Sequence, residues 1–402
     1  MKNTEAIPMS FEPGAAVAPG GIPLSVPHLA GNEWKYVKEC LDSNWVSSAG
    51  PFVERFEEAL SDYVGTKHAV AIVNGTAALH IALLVAGVEP GDEVLIPTLT
   101  FIAPANAIRY ANASPVFIDV EPKHWQLDTQ KLSDFLHNEC EWKDGELRNK
   151  TSGRAVRAIL PVDILGHPCD MDPILEVARK FDLKVVEDAT ESLGAKYKQK
   201  RVGNLSDVAC FSFNGNKVIT TGGGGMIVTN DDRLAEKARY LTTQAKDDPV
   251  EYVHNEIGYN YRLTNIQAAL GCAQMENLDQ FVERKRAIAA KYEQAFRPVS
   301  GLTVPEEASW AYSTFWLYTV RVSPDDFGLD SRQLMHALGN GGIQARPLWQ
   351  PLHLSKAHHG AQQYRIEAAE IINQEALSLP SSVGLSDEEQ ERVIDVLLTA
   401  RK

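Results

Sequence analysis

Three short segments carry residue types that could do chemistry together. Lys217 stands between Phe211-Ser212-Phe213-Asn214-Gly215-Asn216 and Thr220-Thr221-Gly222-Gly223-Gly224-Gly225. A lysine amine held out of water near other positive charge gives up its proton readily and attacks carbonyls. Consecutive glycines let a bulky ligand approach the main chain. These glycines fit neither a Walker loop, since no Gly-Lys-Ser/Thr follows, nor a Gly-x-Gly-x-x-Gly turn before a helix. Asp188 closes the run Lys184-Val185-Val186-Glu187. A carboxylate there can hold a positively charged ring nitrogen, or can simply cap the next helix. Asn74-Gly75-Thr76-Ala77-Ala78 follows an apolar run from His68 to Val73. Free N–H groups and the helix dipole make such a turn a phosphate cradle, although any tight strand-to-helix turn uses the same residues.

The elements that must position these groups alternate regularly. His68–Val73, Glu93–Pro97, Pro115–Val120, Ala158–Val162, Lys184–Asp188, Cys210–Phe213 and Gly225–Thr229 read as strands, with helical segments such as Ala77–Leu84 and Ala103–Tyr110 between them. Strand, crossover helix and strand repeated this often imply an α/β fold with a mainly parallel sheet covered on both faces. Ligands of such sheets collect beyond the carboxyl ends of the strands, where all three segments would stand. An anion cradle, a partner for a pyridinium nitrogen and a lysine amine are the groups that pyridoxal 5'-phosphate requires.

Thr264 can cap a helix beginning Asn265-Ile266-Gln267, which leads into a charged helical stretch through Glu283-Arg284-Lys285-Arg286. The expected organisation is an N-terminal arm over 1–33, a large domain over 34–279 and a smaller α+β domain over 280–402. Thr314–Val320 reads as a strand of that small domain, and Trp310-Ala311-Tyr312 with Phe315-Trp316 as builders of its sheet. His353, in Pro351-Leu352-His353, and Arg346 are candidates for a substrate's sugar or diphosphate, against a structural turn and an ordinary ion pair respectively. No metal is expected: His167-Pro168-Cys169-Asp170 with Asp172 crowds its ligand types across a proline. His358-His359 reads as a solvated loop.

A net charge of −14 argues against nucleic acid or an anionic membrane as the main partner. The five cysteines are scattered without a Cys-x-x-Cys pair, which fits neither a disulfide framework nor a zinc site and points to the cytoplasm. No apolar run is long enough to span a bilayer.

From about Ile22 onward the chain resembles the DegT/DnrJ/StrS-type nucleotide-sugar aminotransferases, within the fold-type I pyridoxal phosphate enzymes. The resemblance rests on Trp45–Pro51, Asn74–Leu79, Pro97–Phe101, Glu187–Ser192, Phe211–Phe213 with Lys217, Gly258–Arg262 and Pro351–His353. It implies a large domain with a seven-stranded type of sheet and a homodimer sharing its active sites. Lys217 would hold the cofactor covalently and move the proton, Asp188 would pair with the pyridine nitrogen, and Phe101 would stack on the ring. Gly75, Thr76, Ala77 and Ser212 would surround the phosphate, Glu191 would sit near the ring hydroxyl, and Asn260 would reach the phosphate of a neighbouring subunit. The substrates implied are L-glutamate and a nucleotide-linked 4-keto-6-deoxy sugar, for cell-surface glycan biosynthesis. Gly222–Gly225 lacks the Glu that many relatives carry there. With Asn214-Gly215-Asn216 this resembles the branch acting on UDP-linked N-acetyl sugars of the legionaminic or bacillosamine type. A 3-keto sugar aminotransferase, a lyase or desulfurase, and a non-catalytic regulator on the same fold are the alternatives.

Overall fold

The computed structural model describes residues 20–248 and 250–401; the first nineteen residues of the expected arm lie outside the described residues. Seven strands form the body of the main sheet: β1 (His68–Ile72), β2 (Glu93–Pro97), β3 (Ser114–Ile118), β4 (Val156–Ile159), β5 (Lys184–Asp188), β6 (Val208–Ser212) and β7 (Gly225–Thr229). They stand in the order β1-β7-β6-β5-β4-β2-β3, and the two-residue strand Gln363–Tyr364 adds an eighth at the β3 edge. Only β7 runs antiparallel to its neighbours. The expectation of a mainly parallel sheet therefore holds, with one short strand more than the seven implied.

Side chains alternate between two cores, which is why the strands read as unbroken apolar runs. Val70 and Ile72 of β1 and Val208 and Cys210 of β6 enter one core, while Ala69, Ala71, Ala209 and Phe211 enter the other. The helix Gly75–Val85 is buried along nearly its whole first two turns, as befits a helix pressed between the sheet and an outer layer. Farther along, Thr264 caps the helix Asn265–Met275 through a full capping box with Gln267.

A four-stranded antiparallel sheet follows in the order Leu302–Thr303, Tyr318–Val322, Ala376–Leu379, Arg346–Pro347. Its core joins Tyr292 and Phe296 of the helix Leu278–Phe296 to Tyr318, Val320, Leu377 and Val393. The described part of the arm lies against this region, with Ile22 bridged to Ile343 and Leu24 accepting from the Ser381 N–H. Two expectations fail here. The strand starts at Tyr318, not Thr314, because Phe315 takes a left-handed φ of 48° that no strand accommodates. Ala311–Tyr312 pairs instead with Lys196–Tyr197 in a separate three-stranded sheet. Among the described residues, no helix is long and apolar enough to cross a membrane.

Candidate active site

The carboxyl ends of β1, β2, β5 and β6 open onto one cavity of about 320 Å³, lined on its floor by Gly75, Thr76, Asp188, Glu191, Ser212 and Lys217. The three segments singled out from sequence therefore meet.

At the β1 end the chain turns from Asn74 straight into the helix, whose first N–H groups have no partner within the helix. Asn74 is the N-cap, and its side chain accepts from Ala77 N–H at 2.8 Å. The Ala77 N–H is thus already engaged, and Gly75 and Thr76 line the cavity where Ala77 does not. Gly75 is needed for space: a Cβ there would lie 2.8 Å from Cβ and 3.1 Å from Oγ of Ser212. Gly225 serves the same approach from β7, since its Cβ would fall 2.6 Å from the Asn74 carbonyl carbon. The cradle exists because two glycines let β1, β6 and β7 close on the helix start.

Asp188 ends β5 at the centre of the sheet, 2% exposed, and accepts a hydrogen bond from Thr190 N–H at 3.1 Å. Burial holds its carboxyl above the usual carboxylate range, against the pull of the Thr190 hydrogen bonds and the Lys217 charge. Desolvation thus costs the carboxylate more than its protein partners return, and a cationic group brought into the cavity would be bound there. That demand, with the glycine cradle, fits the pyridinium and phosphate of pyridoxal phosphate.

Lys217 Nζ lies 3.6 Å from Glu191 Oε1 and 4.2 Å from the ring centroid of Trp316. Glu191, 4% exposed, accepts at Oε2 from Leu165 N–H at 2.8 Å. Its carboxyl is pushed up to about 7, by burial first, with the Lys217 charge acting the other way. Leu165 itself sits at φ 59°, a conformation that costs a branched residue of order 1–3 kcal/mol. The Glu191 bond helps hold it.

Phe101 stands at the mouth, half exposed, edge-on to Trp349 at 6.2 Å. Three other expected residues lie elsewhere. Asn260 is exposed, bridged to Thr243, and does not line the cavity of its own chain. His353 is buried and occupied at both ring nitrogens, by Thr98 Oγ1 at 2.7 Å and Glu370 Oε1 at 3.1 Å. It fastens its turn to the end of β2, the structural role weighed against substrate contact. Arg346 lies in the small sheet opposite Ser378, also outside the cavity lining. His358 is not solvated either: it is 2% exposed, against Phe117 and 3.2 Å from Asn106 Oδ1.

Sequence reasoning missed Trp316 and Trp349, which also line the cavity. Nothing local marked Trp349. For Trp316 the interruption Ser313-Thr314 before the aromatic pair was a signal that the strand had not yet begun.

A doubly wound sheet with these groups at its carboxyl edge defines a fold-type I pyridoxal phosphate enzyme. The chain belongs to the DegT/DnrJ/EryC1/StrS aminotransferase family, which it matches over residues 27–398. It is 42% identical over 377 residues to the GDP-perosamine synthase of Caulobacter vibrioides, covering 94% of this chain and 97% of that one. Identity is 41% over 379 residues to a Bacillus subtilis protein named as a pyridoxal phosphate-dependent aminotransferase, EpsN, covering 93% and 94%. Among solved structures, S. venezuelae DesV in complex with a ketimine intermediate superposes with a TM-score of 0.83 at 32% identity, over 92% of this chain and 95% of that one. The protein is a pyridoxal phosphate-dependent aminotransferase, which sets aside the lyase and regulator alternatives.

Proposed function

We propose that the enzyme transfers the amino group of L-glutamate to the carbonyl of a nucleotide-linked 4-keto-6-deoxy sugar, yielding an amino sugar for cell-surface glycan biosynthesis. The carrying observation is the meeting of Lys217, Asp188 and the Gly75–Thr76 turn around one cavity.

When bound, pyridoxal phosphate supplies an aldehyde that accepts amines and a ring that takes up the electron pair left by proton removal. The chain's residues do the rest. Gly75 and Thr76 N–H groups and the Ser212 hydroxyl bind the phosphate, with the helix dipole behind them. Phe101, in the cavity lining, would pack against the bound ring. Asp188 keeps the proton on the ring nitrogen; preorganised charge of this kind is worth about 3–4 kcal/mol of transition-state stabilisation. Glu191 orients the ring hydroxyl. Lys217 Nζ holds the cofactor at rest, then takes the proton from the donor's Cα and, in the second half-reaction, delivers one to the sugar carbon.

Asn260, exposed on its own chain, is assigned to a neighbouring subunit's phosphate, so the working unit is a homodimer. We assign residues 34–279 to a large domain and 280–402 to a small one, and place the enzyme in the cytoplasm.

Two readings of the nucleotide differ. The glycine cluster favours UDP-N-acetyl sugars. Relatives at 42% and 39% identity are named GDP-perosamine synthases, so their products are GDP-linked amino sugars. We favour the GDP-linked acceptor, because that support spans more than nine-tenths of the chain and the glycine signal only a few residues. Incubation with L-glutamate and GDP-, UDP- and dTDP-linked 4-keto-6-deoxy sugars, with 3-keto sugars as controls, tests this by product mass. Turnover highest with the GDP sugar is expected; turnover confined to UDP-N-acetyl or 3-keto sugars overturns the assignment.

A further inference from the structure

One side of the cavity is an aromatic wall with its own scaffold. Trp316 and Trp349 stack at 6.4 Å with ring planes 14° apart, and Phe101 meets Trp349 at 6.2 Å. Polar bonds fix the Trp316 indole and the backbone of both tryptophans. Trp316 Nε1 donates to Asn216 O at 2.6 Å, which ties the wall to the residue preceding Lys217. Its backbone carbonyl accepts from Lys285 Nζ at 3.0 Å; that lysine is 2% exposed and also donates to Ser381 O at 2.7 Å. Asn373 Nδ2, on the helix Ala368–Glu375, donates to the carbonyls of Leu348 and Trp349 at 2.8 Å each. The same helix is gripped at its start by Asp119, which follows β3 and accepts from the N–H groups of Glu367, Ala368 and Ala369. A flat apolar surface tethered at so many points is preorganised to receive something flat and apolar.

The two substrates differ in this respect. L-Glutamate offers two carboxylates, with only two methylenes as apolar surface and no ring to lay flat. A pyranose ring presents a patch of C–H bonds on one side, and in a 6-deoxy sugar a methyl group replaces the hydroxymethyl. The wall gives area for such a patch, while the Trp316 indole N–H is already spent on Asn216. A 6-hydroxyl set against the apolar face of these rings would lose its water, and the Trp316 N–H is not free to replace it.

We propose that Trp349, braced by Trp316, is the platform for the acceptor's sugar ring and a specificity-determining residue that selects 6-deoxy over 6-hydroxy keto-sugars. This rests on the function proposed above and extends it to a residue and a substrate face.

The test uses the holoenzyme with Trp349→Ala and Trp349→Phe, measuring each half-reaction separately with L-glutamate and with the GDP-linked 4-keto-6-deoxy sugar and its 6-hydroxy counterpart. Truncation to Ala should raise KM for the 6-deoxy sugar roughly tenfold or more and erase most of the preference over the 6-hydroxy compound. The glutamate half-reaction, read from the cofactor's absorbance, should change less than about twofold, which also shows that the variant is folded. Phe should restore most of the affinity. An unchanged KM for the keto-sugar, or a glutamate half-reaction that falls in parallel with it, overturns the platform. Wild-type enzyme that takes the amino group from glutamate but passes it to no nucleotide keto-sugar contradicts the proposed function itself, and the platform with it.

Discussion

The floor and the wall of the cavity are made by opposite strategies. The floor is assembled from strand ends: Asp188, Ser212 and the Asn74 turn each sit where a parallel strand stops, so the sheet delivers them without further support. The wall comes from loops of the C-terminal region that have no such register, and it is fixed instead by buried polar tethers at Lys285, Asn373 and Asp119. Their charges respond to burial in opposite directions. Glu191 on the floor is pushed up to about 7 and Lys285 behind the wall is brought down to about 7, desolvation being the first cause in both. A regular scaffold can carry reacting groups cheaply, whereas a recognition surface built on loops needs dedicated internal bonds.

The largest effect that could break this contrast is at Asp188. Asp188→Asn keeps an oxygen for the Thr190 N–H but removes the charge, so kcat should fall by about 10²–10³. The cofactor-free variant should at the same time melt higher than the parent, because a buried carboxylate with raised pKa has been neutralised. Lower stability together with intact turnover would mean that Asp188 serves only to hold the turn through the Thr190 N–H.

Next is the cradle. Gly75→Ala drives a Cβ to within 2.8 Å of Ser212, an overpacking that costs about 1–3 kcal/mol. The loss should appear as weaker cofactor affinity in equilibrium titration. Unaltered affinity would show that the turn does not hold the phosphate.

The smallest effects are pH slopes, and they sharpen the comparison. Glu191 binds its proton more tightly folded than unfolded, so its contribution to stability is full at low pH and is lost as pH rises from the ordinary glutamate range through about 7. Lys285 binds its proton less tightly folded, so its contribution is present at alkaline pH and is lost as pH falls towards about 7. Melting curves of the cofactor-free protein should lose the first slope in Glu191→Gln and the second in Lys285→Met. Identical slopes in parent and variants would contradict the burial argument for both.

This division also explains what the sequence disclosed. Lys217, Asp188 and the Gly75 turn were legible because each is fixed by local pattern, namely an apolar run, its last residue and the small residues after it. The bond from Ala77 N–H to the Asn74 side chain was not legible, because it depends on the geometry of the N-cap. His353 drew attention as a histidine after a proline, yet its neighbours Thr98 and Glu370 lie 255 and 17 positions away. Trp316 was absorbed into a strand by its aromatic neighbours, and the backbone reversal at Phe315 that turns it into the cavity has no compositional mark. Contacts made across tens to hundreds of residues set the wall, and no short window of sequence contains them.

The central claim is that Lys217 carries the cofactor and releases it to an amino donor. Borohydride reduction of the holoenzyme followed by peptide mapping should place a pyridoxyl label on Lys217, and prior incubation with L-glutamate alone should remove most of that label. A label on another lysine, or one that glutamate leaves untouched, would contradict it.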